Sequence, residues 1–367
     1  MAVILLASCG SSAGSSRTGN LWVPGGRWVS VSIEPSTQIP TVMVWNGSEL
    51  LLWGGVSNVP VAPPTAPGGG YPPGYPGYTG NPALGGFSYN PRQHHWTSIP
   101  SAPLPFLGFE VSSAWTGQDM IVWGFDETAR NRSVGALYNP TTKKWKVMAD
   151  QSMVAVGTGV WTGSEWIVVG EDHTATHVHA VAYQPKTNTW RTLPDPPTLN
   201  GPHQGQVVTW TGKTLLFGIP FGLDHAVAYD PSANRWNAQA PSPAGQLTDS
   251  AVAWTGDYLI LTGGSQVPQG SDVGTPVHIT AVFNPATNTW TRASQPPHPV
   301  NAGIPVDHRA LFPGQPTLAY DPTIDTWSTF PTPPGSTTIW TGQDLWSVGV
   351  NRSNPKSVVL YRYQPKQ

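Results

Sequence analysis

The sequence predicts an all-β fold assembled from repeated four-stranded units, and three observations predict it. First, an aromatic residue, a variable residue and Pro are followed by a Trp seven positions after the aromatic. This unit occurs at Tyr89 with Trp96, Tyr138 with Trp145, Tyr183 with Trp190, Tyr229 with Trp236, Phe283 with Trp290 and Tyr320 with Trp327. Second, a Trp, a polar residue and Gly precede an apolar run, as in Trp115-Thr116-Gly117, Trp161-Thr162-Gly163, Trp210-Thr211-Gly212, Trp254-Thr255-Gly256 and Trp340-Thr341-Gly342, with Trp45-Asn46-Gly47 as a variant. The two units alternate, and the later Trp recurs every 37 to 54 positions, a spacing that marks a repeat architecture. Third, no helical periodicity competes with these signals.

Each unit reads as four short strands. Thr-Gly after the first Trp makes a tight hairpin, because Gly accepts positive φ. The run behind it, such as Leu215-Leu216-Phe217, is uniformly apolar, as a strand buried on both faces must be. Gly ends that strand, doubled at Gly54-Gly55 and Gly263-Gly264. A third strand ends at the aromatic, as in Ala226-Val227-Ala228-Tyr229. Pro231 then withholds a ladder donor and opens the next turn. The fourth strand starts near the later Trp and runs into Pro-rich segments such as Pro194-Asp195-Pro196-Pro197. Thirteen of the 18 Trp residues fall at the two repeated positions, so the Trp series is expected to form the blade core.

Apolar strand, Gly-Gly, Tyr and a Trp at fixed distance resemble the kelch motif, over residues 21–367. The resemblance implies a kelch-like β-propeller, four-stranded blades set around a central channel. Six complete units span residues 41–330. A seventh begins at Trp340, reaches Tyr363-Gln364-Pro365 and lacks its Trp, while Arg27-Trp28-Val29-Ser30 matches an isolated fourth strand. Pairing the N-terminal strand with the C-terminal blade closes a seven-bladed ring and leaves no open sheet edge there. The sixth unit, residues 301–327, lacks the Trp-Thr-Gly hairpin, with Ala310-Leu311-Phe312-Pro313 as its second strand. A six-bladed ring is therefore the alternative.

Composition limits what the chain does. Gly and Pro, 40 each, make up roughly a fifth of the 367 residues, against about 12% ordinarily. Charged residues are only 10%, yet 38% of residues are hydrophobic, enough to exclude general disorder. Eighteen basic against 20 acidic residues, with no long run of either sign, argue against nucleic acid or an anionic membrane as a partner of the whole chain. No apolar stretch in the chain is long enough to span a bilayer. One Cys excludes an internal disulfide framework. That Cys closes Leu6-Ala7-Ser8-Cys9, which resembles the end of a bacterial lipoprotein signal. The resemblance implies cleavage before Cys9, lipidation of its sulfur and residence in the bacterial cell envelope. Residues 1–9 then read as the remnant of a longer signal, 10–20 as a Gly/Ser tether, and the membrane is reached only through the anchor. Residues 56–84, rich in Pro, Gly and Tyr, read as a surface insertion: a solvated loop or an arm that stacks tyrosines on sugars.

Four-stranded connectivity sends the loops between second and third strands, and the blade-to-blade connections, to one open face. The tight hairpins go to the other. His94 and His95 fall on the tight side. The remaining His residues are assigned to the open face: His173, His177 and His179 around the third blade's loop, His225 with Asp224 in the fourth, His278 in the fifth, His203 and His298 on connections, and His308 with Asp307 in the irregular sixth unit. His179 and His225 each stand four positions before the unit's Tyr. Imidazoles and carboxylates converging from adjacent blades suit a divalent metal, with His179, Asp224 and His225 as candidate ligands. They equally suit general acid–base chemistry or strand capping. Glu110, Arg130 and Arg132 complete the candidates, since kelch-like mutarotases place acidic, basic and His groups on such a face. Galactose-oxidase-like chemistry is excluded by the resemblance itself, because its Tyr–Cys crosslink needs a Cys that the repeats lack. No phosphate loop, nucleophile elbow or HExxH is present.

Two functions remain in view. One is binding of an envelope protein or glycan by the open face, with no cofactor. The other is a carbohydrate-active enzyme, mutarotase-like or hydrolase- or lyase-like and metal-assisted in one form, with a His/Asp pocket at the channel mouth.

Overall fold

The computed structural model describes residues 25–34, 38–57, 83–105, 107, 111–126, 132–174, 176–197, 207–219, 225–245, 247, 250–266, 275–300, 303–351 and 357–366. Their strands form seven four-stranded antiparallel sheets, each running first to fourth strand. Blade 1 comprises Val42–Trp45, Leu50–Trp53, Gly86–Asn90 and His95–Ile99; blade 2, Ser112–Trp115, Met120–Phe125, Ser133–Asn139 and Lys144–Val147. Blade 3 comprises Val156–Trp161, Trp166–Glu171, Val178–Gln184 and Thr189–Thr192; blade 4, Val207–Trp210, Leu215–Ile219, His225–Asp230 and Arg235–Pro241. Blade 5 comprises Ala251–Trp254, Leu259–Thr262, Thr280–Asn284 and Thr289–Ala293; blade 6, Ile304–Val306, Arg309–Phe312, Thr317–Asp321 and Thr326–Phe330. Blade 7 comprises Thr337–Trp340, Leu345–Val350, Val358–Gln364 and, from the other end of the chain, Arg27–Glu34. Arg27 pairs with Gln364 and Glu34 with Val358, so the ring closes as a seven-bladed β-propeller and the six-bladed alternative falls. Two short ribbons, Gln38–Ile39 with Val56–Ser57 and Ser265–Gln266 with Thr275–Pro276, sit beside blades 1 and 5.

The core explains why the second strands carry unbroken apolar runs. One apolar cluster fills each of the seven blade interfaces, and a second strand feeds two of them by simple alternation. Leu51 and Trp53 pack toward blade 2, while Leu50 and Leu52 pack toward blade 7. Met120 and Val122 turn to blade 1, and Ile121 and Trp123 to blade 3. Both faces are buried, so both parities must be apolar.

The repeated Trp residues correct the expectation of a Trp core. The wholly buried indoles are Trp53, Trp123, Trp166 and Trp346, all in second strands. Both repeated series are partly buried and flank the interface with the preceding blade: Trp115 and Trp145 toward blade 1, Trp161 and Trp190 toward blade 2. Each fourth-strand indole N–H needs a partner at this half-wet edge, and each finds it four residues beyond the equivalent Trp of the preceding blade. Trp145 Nε1 donates to Pro100 O at 2.8 Å, Trp190 to Ala149 O at 2.7 Å and Trp236 to Pro194 O at 2.7 Å. Trp290 donates to Ala240 O at 3.0 Å, Trp327 to Ser294 O at 2.7 Å and Trp28 to Pro331 O at 2.9 Å. Trp96 completes the circle on Ser32 Oγ at 2.8 Å. Every blade is thus tied to its predecessor by one directional bond.

A second tie comes from the hairpin that precedes each Trp. The residue five after the aromatic adopts positive φ: His94, Lys143, Asn188, Asn234, Asn288 and Asp325. Asn188 Oδ1 accepts the Tyr183 hydroxyl at 2.6 Å and also the Ala149 N–H of blade 2 at 3.0 Å. Asn288 takes Ala240 N–H at 2.9 Å, and Asp325 takes Ser294 N–H at 2.8 Å. Pro100 and Pro194, at the equivalent position, have no N–H to give; the turns facing them carry Lys143 and Asn234, and Asn234 Oδ1 accepts the Tyr229 hydroxyl at 2.8 Å. The Thr of Trp-Thr-Gly closes a different turn, the first hairpin of its blade. Thr116 Oγ1 accepts Asp119 N–H at 2.8 Å and donates to Asp119 O at 3.0 Å, while Gly117 takes φ +95°.

Candidate functional site

Strand order sets the two faces. On one, the first and second strands and the third and fourth strands meet in short hairpins. At the other lie the strand ends between second and third strands, such as Trp53 and Gly86 of blade 1. Blade 3 carries three of the described histidines of that long-loop face, His173, His177 and His179. In its link, residues 174, 176 and 177 gather around Asp172. The Asp172 carboxylate accepts the N–H and hydroxyl of Thr174 at 3.0 and 2.8 Å and the N–H of Thr176 at 3.2 Å. Its backbone N–H donates to His177 O at 2.9 Å. These bonds, the Thr174 hydroxyl first, hold the Asp172 carboxyl well below the usual carboxylate range.

Two imidazoles flank this turn. His177 Nδ1 lies 2.9 Å from Thr176 Oγ1 and 3.4 Å from Asp172 Oδ2. His179 Nδ1 lies 3.0 Å from Asp195 Oδ1. The rings stack with centroids 6.3 Å apart and an 18° interplanar angle. His179 is pinned from both sides of its sheet. It pairs with Gly170, which pairs with Gly157, and a Cβ at Gly170 would strike the Val156 carbonyl. On the other side Val181 opposes Thr192, and continuing that register sets His179 beside Pro194 and Asp195.

The other sequence candidates do not join this pair. His173 is exposed in the same link, and His278 is exposed before the third strand of blade 5. Arg132 forms ion pairs with Asp126 at 3.5 Å and Asp150 at 3.8 Å. Asp126 is buried, so Arg132 is accounted for by the neck of blade 2's link. His298 Nδ1 donates to Pro299 O at 3.0 Å. Glu110, Arg130, His203 and Asp224 lie outside the described residues, as do Cys9 and the side chain of His225.

His308 is a correction. Val306 pairs with Arg309, which leaves Asp307 and His308 as the two-residue turn of blade 6's first hairpin. His308 therefore belongs to the short-hairpin face, where its Nδ1 lies 2.8 Å from Asp257 Oδ2 in the corresponding hairpin of blade 5. The missing Trp-Thr-Gly signature hid this hairpin, and with it the face. Sequence reasoning also missed Asp172, Thr176 and Asp195. The Tyr183–Trp190 register was the available signal for Asp195.

The architecture is that of a seven-bladed β-propeller. No protein-family model and no curated protein matches the sequence. Among solved structures, the chain is similar to a novel fungal alcohol oxidase of the AA5 family, described in complex with copper. The TM-score is 0.64 and the identity 13%, over 93% of this chain and 76% of that one. It also matches the structure of YjhT, with a TM-score of 0.47 and 12% identity over 76% of this chain and 91% of that one. At 13% identity the likeness to the oxidase is one of fold. Among the described residues no three His, Cys, Asp or Glu side chains converge on one point.

Proposed function

We propose that the protein is an exported propeller of the bacterial cell envelope, lipid-anchored at Cys9, that binds an envelope protein or glycan through its long-loop face. The asymmetry of the two faces carries this reading. One face is built from short hairpins closed by their own Thr hydroxyls, as at Thr116 and Thr162. The other collects the long links and the exposed His173, His177 and His278, on a ring held rigid by interblade bonds. Loops on a rigid scaffold are where recognition residues concentrate.

The test places a photo-crosslinking residue at His278 on the long-loop face or at Lys213 on the short-hairpin face of the full chain. Envelope proteins and purified cell-wall glycan are offered in parallel. Adducts from position 278 alone support the reading, and the arm that reacts names the partner class. Adducts from position 213 alone, or equally from both, overturn it. Incorporation of a clickable fatty acid, lost in Cys9→Ser, tests the anchor. A second reading, a carbohydrate-active enzyme, draws on one contact: a carboxylate at the Nδ1 of His179 fixes the imidazole tautomer and leaves Nε2 free as a base. Turnover of a sugar substrate abolished by His179→Gln would favour it.

A further inference from the structure

We infer that His177 and His179 form a two-nitrogen chelate on the long-loop face of blade 3, taking a divalent transition ion such as Zn2+ through their Nε2 atoms, with Asp195 orienting the His179 ring. Four observations carry it. Both Nδ1 atoms are engaged, His179 by Asp195 at 3.0 Å and His177 by Thr176 at 2.9 Å, with Asp172 at 3.4 Å. In His179, Nδ1 donates to a carboxylate and Nε2 is presented as a lone pair, the arrangement that orients and strengthens metal-binding His. The rings are nearly parallel, 18° apart, and their centroids are 6.3 Å apart. His177 stands one residue before the third strand and His179 is its second residue, with glycines, not side chains, next to His179 across the two inner strands. The pair is also accessible, with side-chain exposures of 73% for His177 and 20% for His179.

Zn–N bonds of about 2.0–2.1 Å require the two Nε2 atoms to close to within roughly 4 Å. His179 is fixed by its sheet neighbours, so the exposed His177 supplies that movement. Two imidazoles are the protein's whole share among the described residues. Water fills the remaining positions and is exchangeable for an oxygen of a bound partner. Imidazole nitrogens suit Zn, Cu and Ni over Mg or Ca. Metal binding and crosslinking are measured separately, so the chelate and the envelope-binding reading can each fail alone.

The experiment is calorimetric titration of the full chain with Zn2+ at pH 7.5, above the ordinary imidazole range. It is run in wild type, His177→Ala, His179→Asn, Asp195→Asn, and a His94→Ala/His95→Ala control, each also carrying Cys9→Ser so that the thiol contributes nothing. One equivalent bound by the parent and the control, lost in both His variants and weakened about 10–100-fold in Asp195→Asn, is the expected result. No binding by the parent, or binding that survives His177→Ala and His179→Asn, overturns the site. Binding untouched by Asp195→Asn overturns the orienting role. Circular dichroism of each variant separates loss of ligand from loss of fold, and Asp195→Asn keeps a result readable should His179→Asn misfold.

Discussion

Replacing Asn188 tests the interblade clamp where most of its parts meet. Asn188 holds φ +56°, and its Oδ1 receives both the Tyr183 hydroxyl at 2.6 Å and the blade 2 N–H of Ala149 at 3.0 Å. Tyr183 is wholly buried, and burial, followed by the charge of Asp119, pushes its ionisation up to about 12. Asn188→Ala strands that hydroxyl, at about 1–3 kcal/mol for an unmade buried hydrogen bond. It also puts a Cβ without a compensating local bond in the left-handed region, at about 1–2 kcal/mol. The expected loss is therefore about 2–5 kcal/mol. Asn188→Gly relieves the backbone but not the hydroxyl, and so costs about 1–3 kcal/mol. Asn188→Asp keeps both acceptors and stays within about 0.5 kcal/mol of the parent. Urea midpoints followed by Trp fluorescence rank the three, aided by Trp190, whose ring lies 5.1 Å from that of Tyr183. If Asn188→Ala matches Asn188→Asp, the clamp reasoning is wrong. If Asn188→Ala and Asn188→Gly are equal, the backbone argument fails and only the hydrogen bonds matter.

Four further outcomes are expected. Trp145→Phe keeps an aromatic ring but deletes the donation to Pro100 O at 2.8 Å, and should lower stability by about 1 kcal/mol in the same urea assay. Deleting residues 1–34 removes the outer strand that pairs with Val358–Gln364 and bares a sheet edge; sedimentation should show concentration-dependent self-association, and a stable monomer would contradict the closure. The Asp325 carboxyl is held below its ordinary value: burial opposes this, but bonds from the Ser294 N–H, the Tyr320 hydroxyl and the Ser294 hydroxyl outweigh it. A depressed folded value means the stabilisation is present above the unfolded value near pH 4 and is lost as pH falls through the folded one, so Asp325→Asn, which keeps an acceptor but does not titrate, should flatten the thermal midpoint's decline below about pH 4. His308→Ala breaks an ion pair whose side chains are 67% and 60% exposed, and the thermal midpoint should move by no more than about 0.5 kcal/mol allows.

Much of the fold could be read from the sequence because it is written in short-range offsets. A Tyr seven positions before a Trp places the two across from each other in a hairpin, and the structure pairs Tyr89 with Trp96 and Tyr183 with Trp190 in that way. The missing Trp after Tyr363 and the lone Trp28 were two halves of one hairpin pair, and Trp28 does oppose Tyr363. The burial of the Trp residues was read less well, for a physical reason. Repetition of the fourth-strand Trp marks a position that every blade needs, and what every blade needs there is a directional N–H at a half-wet edge, reaching an acceptor four residues past the previous Trp. Trp53, Trp123, Trp166 and Trp346 obey no such geometry. They fill space inside an apolar strand, where other blades use Phe217 or Phe312 with equal effect.

The candidate site obeyed the opposite logic. His179 and Asp195 are sixteen residues apart, and their contact follows only once the register from Tyr183 and Trp190 is carried outward past the ends of the strands. His308 and Asp257 are fifty-one apart and meet because two first hairpins of adjacent blades reach the same face. In blade 6 that hairpin has two residues and Asp307 at φ +56°, without the Thr-Gly, or Asn-Gly in blade 1, that announces it in the other blades. A residue's face depends on counting strands correctly, and one unannounced turn moves a histidine to the far side of the ring. Repeats declare a scaffold, but each polar side chain on it must be placed by register, blade by blade. Register is also what leaves His177 and His179 as the pair with carboxylates behind both rings.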